Sequence, residues 1–458
     1  MGSLVDKGNP VIGLFGWIVH RLVASYWFLA LWAVVTAPLA FGAMLYFDRN
    51  GLTDWILGRD LAPVATADAA KETAGIVAGI DAALLTLFFS ISLLVLTLAA
   101  GNLGVRLIDR WLSKRLVQVS IAGLTFTTLF SVLTLAAIDS EADLIDTPLG
   151  TIIVMLVLLA VNLAMLAVAL HDLGRTMFID KAIDSLGKDA RTPALEVEGA
   201  EPFTGEFVQL VPAPLSGYVE GVDLDEIDKR LEHHPGTIRI CVAPGQHVLD
   251  GEPIAALEHA LDKMHDLTTN IPIGPFRSNS QGTVFQVRLL VEVAARALSP
   301  AINDFYTALA AADALTEVIA GHTDNWVDPG LVPVPRNCPR FELPGQDFHG
   351  LFRDPLAAFR QAAADYPSVA IRMIDNYRRI CEPLFAQEPQ DRQEGLIDFL
   401  YDEAKRLSEH AADRAQHRSD RRDIEAAFET FRPMRTNARE ARFHATSDDG
   451  SGDRAPVR

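Results

Sequence analysis

IVAGIDAALLTLFFSISLLVLTLAAGNLGVRLIDRWLSKRLVQVSIAGLTFTTLFSVLTL, running from Ile76 to Leu135, decides the fold. It contains two apolar runs, about 76–100 and 117–138, the second continuing past the quoted stretch to Ile138, with the short basic loop Gly101–Leu116 between them. Each run has roughly the 20 apolar residues that a helix needs to cross a hydrocarbon core. Upstream, Tyr26–Tyr46 is a third such run. Tyr26, Trp27 and Tyr46 stand at its ends, where amphipathic rings favour the headgroup region. Pro38 lies inside it, which a membrane helix tolerates when neighbours satisfy the freed carbonyl. Downstream, Leu149–Leu170 is a fourth. Val11–Val19 is too short to span, and no small-residue cleavage pattern follows it, so it is expected to lie at the interface rather than act as a signal peptide.

Orientation follows from Lys and Arg near the spans. Arg106, Arg110, Lys114 and Arg115 crowd the second-to-third loop, and Arg175 and Lys181 follow the fourth span. The third-to-fourth loop, Asp139–Pro148, has four acids and no base. The pattern predicts four spans with both termini cytoplasmic, in a bacterial inner membrane. Cys241, Cys338 and Cys381 then fall in a reducing compartment, where free thiols belong. Their wide spacing fits neither a zinc site nor a disulfide framework.

Composition agrees with a split chain. The 458 residues are 49% hydrophobic, yet mean hydropathy is only +0.18, because the apolar runs crowd the first part and the charges the rest. A net charge of −19 argues against a nucleic-acid partner, which would require a basic face.

Beyond the spans, Phe207–Val211, Gly217–Val222, Thr237–Val242 and Pro253–Leu257 are short strand-like runs broken by Pro and Gly. Asp223–His233 among them has helical spacing, with Leu224, Ile227 and Leu231 on one face. Gln286–Leu298 and Phe305–Ile319 are predicted helices on either side of Ser299–Asp304. Gly321–Pro344 is loop-like, and helices return over 355–364, 368–381, 393–412 and 419–431. The fold class is therefore α+β. A four-helix transmembrane domain over about 1–180 precedes a small β-rich, barrel-like cytoplasmic domain over 181–280. A helical cytoplasmic domain follows over 281–432, and then a polar tail over 433–458, expected to be disordered.

Four stretches carry a family resemblance: FFSISLLVLTLAAGNLGVRLIDRWL (Phe88–Leu112), LHDLGRTMFIDKAI (Leu170–Ile183), SGYVEGVDLDEI (Ser216–Ile227) and ARALSPAINDFYTAL (Ala295–Leu309). In these the chain resembles the bacterial predicted membrane proteins grouped as domain of unknown function 2254. The last stretch departs from the family's spelling at Ala301 and at Phe305–Tyr306. The resemblance implies an inner-membrane protein of uncharacterised activity and supplies no catalytic residues. A second likeness is local. VAPGQHVLDGEPIA (Val242–Ala255) is similar to the half-motif of lipoyl and biotinyl carrier barrels. Lys263–Met264 is the only nearby pair of the type that carries the cofactor, and it follows the strands in an acidic, helix-like segment. The barrel is therefore taken as structural, with no cofactor.

Several residues are candidates for function. Asp81 is an intramembrane carboxylate, a functional position by default. At 100° per residue Ser92 shares its face, while Thr86, Ser90 and Thr97 lie nearly opposite. The plain alternative is that Asp81 sits near the outer helix end and reaches headgroups or water. Ser120, Gly123, Thr127, Ser131 and Thr134 form one stripe on the third span. Such a stripe serves either close helix packing or the lining of a wet pathway. In the soluble part, Asp304 is expected to cap the second of two helices at the amide of Tyr306 or Thr307. The alternative there is a polar-ligand or cation site from Ser299, Asn303 and Asp304. Nothing spells a nucleophilic triad, a phosphate-binding glycine loop or a metalloprotease helix, so no enzyme is predicted. Two function classes remain: a homo-oligomeric channel or transport-related protein with the second and third spans at the subunit contacts, or a membrane-anchored scaffold or signalling protein. The expected partners are the lipid bilayer and further copies of the chain.

Overall fold

Apolar length becomes helix throughout the first part of the chain. The computed structural model describes residues 26–103, 115–176, 179–261, 264–388 and 392–432. The chain divides into two compact units, one covering Ile18–Phe178 and the other containing Ile179–Arg458. Val11–Val19, the bases Arg106, Arg110 and Lys114, Lys263 and the tail 433–458 lie outside the described residues.

In the first unit, α1 covers Tyr26–Phe47 and contains Pro38. The stretch after it is structured too. A turn at Asp48–Leu52 leads into the short helix α2, Thr53–Leu57. Gly51 takes φ +102° in that turn, a conformation that costs glycine little and other residues more. Helix α3 already begins at Ala67 and runs to Leu103. Helices α4, Arg115–Ala137, and α5, Leu149–Thr176, complete the set. Among the described residues four helices are thus long and apolar enough to cross a membrane.

Helix α4 is the centre of this bundle and packs against α1, α3 and α5. Its apolar contacts gather into two clusters. One holds Ala74 and Val77 of α3, Phe130 of α4, and Ile152 and Met155 of α5. The other holds Phe88 and Val95 of α3, Ile121 and Leu124 of α4, and Leu166 of α5. The outward faces carry Leu31, Trp32, Leu39, Leu93, Leu94, Val161 and Val168, all exposed, as a lipid-facing surface requires.

The second unit opens with α6, Ile179–Arg191. Strands β1 (Val197–Ala200), β2 (Gln209–Pro212) and β3 (Gly217–Val219) follow. Helix α7, Leu224–Arg230, starts where Asp223 accepts a bond from the Glu226 amide at 3.0 Å, and it buries Leu224 and Ile227. Next come β4 (Ile238–Ile240), β5 (His247–Val248), β6 (Pro253–Leu257), the one-turn α8 (His265–Thr268) and β7 (Ile273–Gly274). Helices α9, Thr283–Ala297, and α10, Phe305–Gly321, pack on each other and on α6. Strands β8 (Val332–Pro335) and β9 (Phe341–Glu342) precede α11 (Phe348–Ala363), α12 (Pro367–Phe385), α13 (Glu394–Arg414) and a last helix over 418–432.

Two expectations fail here. The barrel is absent: among the described residues the strands form three separate sheets, ordered β2-β6-β4-β9, β5-β3-β7 and β1-β8, and none closes. The carrier-like half-motif explains why. Its two strands, β5 and β6, belong to different sheets, and strands of two to five residues are too short to wrap around a core. Nor is Gly321–Pro344 merely a loop. Val332–Pro335 pairs with β1 and Phe341–Glu342 runs parallel to β4. Pro333 and Pro335 hide β8, yet they are tolerated because β8 is the edge of a two-stranded ribbon. Val211, Val219, Ile227, Ile238, Ile240 and Phe341 are fully buried in the core of this part.

Candidate functional site: the polar layer of the membrane bundle

The two apolar clusters of the bundle are separated by a polar layer. Asp81 sits on α3 between Val77 and Phe88, and it is 0% exposed. It does not reach headgroups or water: Ser131 of α4 donates to its Oδ2 at 2.7 Å. The Asn162 side chain of α5 acts on the same carboxyl, and its Nδ2 donates to Thr127 Oγ1 on α4. Thr127 in turn donates to the Gly123 carbonyl at 3.0 Å. Three helices thus meet through four polar side chains, with Thr127 and Asn162 near the midpoints of their helices.

The stripe on α4 lies inside the bundle. Ser120, Thr127, Ser131 and Thr134 are all buried, and Thr134 returns its hydroxyl to Phe130 O at 2.8 Å. At Gly123 a Cβ would stand 2.7 Å from Met165 Cε and 3.3 Å from Asn162 Oδ1, so a larger residue would have to displace these two side chains of α5. The expected neighbour of the stripe is therefore the chain's own α3 and α5.

Helices α3 and α4 run antiparallel. Gly75 lies beside Leu135, and Asp81 pairs with Ser131. Phe88 of α3 and Leu124 of α4 belong to one apolar cluster, and Ser92 and Ser120 lie one turn further along the same two helices. Phe88 and Leu124 are 1% exposed and close the bundle between the two polar levels. Asp81 Oδ1, Ser92 Oγ and Ser120 Oγ are buried with no hydrogen-bond partner among the described residues. Unmet polar atoms are uncommon in folded proteins, and each asks for an explanation.

A second polar knot went unread in the sequence. Asp48, just past α1, caps the N-terminus of α5 from a hundred residues away. Its Oδ1 accepts from Gly150 N at 2.8 Å and Thr53 Oγ1 at 3.2 Å. Its Oδ2 accepts from Thr151 N at 2.9 Å and Thr151 Oγ1 at 2.6 Å. A carboxylate at a helix N-terminus meets both the free amides and the positive end of the dipole. The available signal was a helix start at Pro148-Leu149-Gly150 with no acid in its own first turn.

The turn at Ser299–Asp304 is a cap. Asp304 Oδ1 accepts from Thr307 N at 3.1 Å and Oδ2 from Thr307 Oγ1 at 2.6 Å. Ser299 Oγ is spent on Arg296 O at 2.6 Å, and exposed Asn303 takes φ +49° to turn the chain. Among the described residues no group of three or more His, Cys, Asp or Glu is placed to hold a metal ion.

Two mycobacterial proteins are similar in sequence: Uncharacterized protein Mb1321c of Mycobacterium bovis and Uncharacterized protein Rv1290c of Mycobacterium tuberculosis. Each is 27% identical over 261 residues, covering 52% of this chain and 50% of its own. The match thus spans about half the length of these curated relatives. No solved structure matches the chain. Residues 23–379, which include all four candidate spans and both polar knots, match the predicted membrane protein family DUF2254, and the chain belongs to that family.

Proposed function

We propose that this is a transport-related membrane protein, working as a homo-oligomer, in which Asp81 binds a small cation or a proton on its way through the bundle. Asp81 itself carries the reading: a carboxyl wholly inside an apolar bundle, with one oxygen bonded to Ser131 and the other unmet. Ionisable groups at that depth are costly and mark ion and proton routes. Ser92 and Ser120 continue the line of unmet oxygens about 16 Å along the helix axis. Because α4 is used up within the chain, contacts between copies fall to α3. Its outward hydroxyls Thr86, Ser90 and Thr97 bond to carbonyls four residues back and leave a small, self-satisfied face for a neighbouring helix. In reconstituted liposomes, proton or potassium flux above that of empty liposomes is expected. It should fall to the empty-liposome level in Asp81→Asn, which keeps the shape and the bond from Ser131. Native mass spectrometry should show more than one copy. Liposomes no leakier than empty ones sink the transport reading.

A membrane-anchored scaffold or signalling protein is the second reading, favoured by the way Phe88 and Leu124 close the bundle. Flux absent from wild type, with Asp81→Asn as stable as wild type, selects it.

The proposal also includes the bacterial inner membrane with both termini cytoplasmic, on the charge pattern of the loops. Glu141 in the acidic third-to-fourth loop is exposed and can report which side that loop faces. A cysteine replacing Glu141, with the native cysteines removed, is expected to react with an impermeant maleimide once the outer membrane is opened. Reaction only after the inner membrane is also permeabilised reverses the orientation.

A further inference from the structure

We propose that the turn around Gly245, together with Arg277, Gln281 and Arg288, is an oxyanion site that takes a phosphate group. The strands and α9 build it. Gly245 has φ +78°, donates to Val219 O at 2.7 Å and receives Arg288 Nη1 on its carbonyl at 3.0 Å. A Cβ on Gly245 would stand 3.0 Å from Arg288 Nη1 and 3.4 Å from Gln281 Oε1. A guanidinium and a carboxamide therefore meet over a residue that adds no side chain of its own.

The unmet groups here are donors. Gln281 is 2% exposed, and its Nε2 has no partner among the described residues. Arg277 Nε is likewise buried and unmet. The Arg277 guanidinium lies 5.1 Å from the centre of the Tyr218 ring, which packs edge-on against His247. Cation–π contact of this kind holds the guanidinium flat without consuming its N–H groups. Burial, and after it the like charge of Arg277, pull Arg288 below the ordinary guanidinium value, while Asp354 and Tyr218 act the other way.

The neighbouring acids do not resolve this. Glu220 Oε2 is occupied by the hydroxyls of Ser278, at 2.5 Å, and Ser280. Neither Arg277 nor Arg288 forms an ion pair with a described carboxylate within 4.0 Å. Two adjacent guanidiniums and an amide, with donors in excess, call for an acceptor-rich anion. Arginine forks fit the oxygens of a phosphate group two at a time.

That phosphate group could belong to a soluble compound or to a lipid headgroup. The test uses full-length protein in phosphate-free buffer. Inorganic phosphate is titrated by calorimetry, with chloride as the control. In parallel, the protein is placed in nanodiscs of phosphatidylcholine with and without phosphatidic acid, and its stability is compared. Saturable binding or stabilisation is expected in at least one arm, weakened at least about tenfold in Arg277→Gln, the loss of one charge-assisted hydrogen bond. Gln281→Glu should do the same by repulsion. If that variant fails to fold, Arg277→Gln decides alone, with Arg277→Lys recovering part of the binding. A response in the first arm names a soluble source, and in the second a lipid. No response beyond chloride and phosphatidylcholine, or full binding in Arg277→Gln, overturns the site.

Discussion

Asp48→Ala is expected to cost the membrane bundle about 3 kcal/mol, since each buried donor left without a partner costs about 1–3 kcal/mol. Four donors converge on this carboxylate: two amides at the start of α5 and the hydroxyls of Thr53 and Thr151. The hydroxyls can turn to other acceptors. The amides of Gly150 and Thr151 are fixed in direction and, as first-turn amides, have no carbonyl partner within α5. Single side-chain hydrogen bonds between membrane helices average only about 0.6 kcal/mol, because the alternatives there also find partners. Stranded backbone amides lack that escape, so the larger figure should prevail. Asp48→Asn keeps one acceptor oxygen but turns an N–H group on either Gly150 or Thr151, and should lose about half as much. Gly150→Ala probes the same knot from the other side, since its Cβ would stand 2.5 Å from both Asp48 Oδ1 and Leu52 Cδ2. Reversible unfolding in mixed micelles measures all three. An Asp48→Ala variant within experimental error of wild type would show that the cap is dispensable.

That knot also marks where the sequence stops being informative. The spans were legible because their signal is local: twenty apolar residues suffice, whatever packs against them. Helix α7 was legible for the same reason, with Asp223 at its start and Leu224 and Ile227 one turn apart. So was the Asp304 cap, three residues from the amide it serves. Asp48 was not, because it follows Tyr46 and Phe47 as the first polar residue of an apparent loop and its partners lie a hundred positions on. The α4 stripe was legible as a stripe, but periodicity names a face and not the neighbour that covers it. Gly123 against Met165 supplies that neighbour. Asp81 was visible as a buried-charge problem, while its depth depended on Ser131 and Asn162, two other helices. In the β-part the four strand runs between Phe207 and Leu257 were legible, but not how they pair. Strands of two to five residues leave almost no alternation from which to read a partner, and two of the pairings, β1 with β8 and β4 with β9, join segments more than a hundred residues apart.

Arg239→Met tests one such pairing and should destabilise the second unit by about 3–5 kcal/mol, the usual effect of stripping a buried charge of its partner. Arg239 and Glu342 are register partners on the parallel strands β4 and β9. Arg239 Nε donates to Glu342 Oε2 at 2.6 Å, and Glu342 also receives the Phe203 amide. The two ends differ in burial: the Glu342 side chain is 4% exposed and that of Arg239 is 30%. The asymmetry sets the direction of the effect. Without Arg239 the carboxylate keeps one amide and no counter-charge in a core of Ile238, Ile240 and Phe341. Without Glu342 the guanidinium can still turn toward water while resting on the Phe207 ring, 4.6 Å away. Glu342→Gln should therefore cost less than Arg239→Met. The double variant, with Met at both positions, should recover most of the loss, because desolvating an ion pair offsets much of its attraction. Hydrogen exchange at the amides of Ile238–Ile240 in the full-length protein reads the opening of this sheet directly. If the double variant opens as readily as Arg239→Met alone, the loss lies in the arginine's packing on Phe207 rather than in the stranded charge.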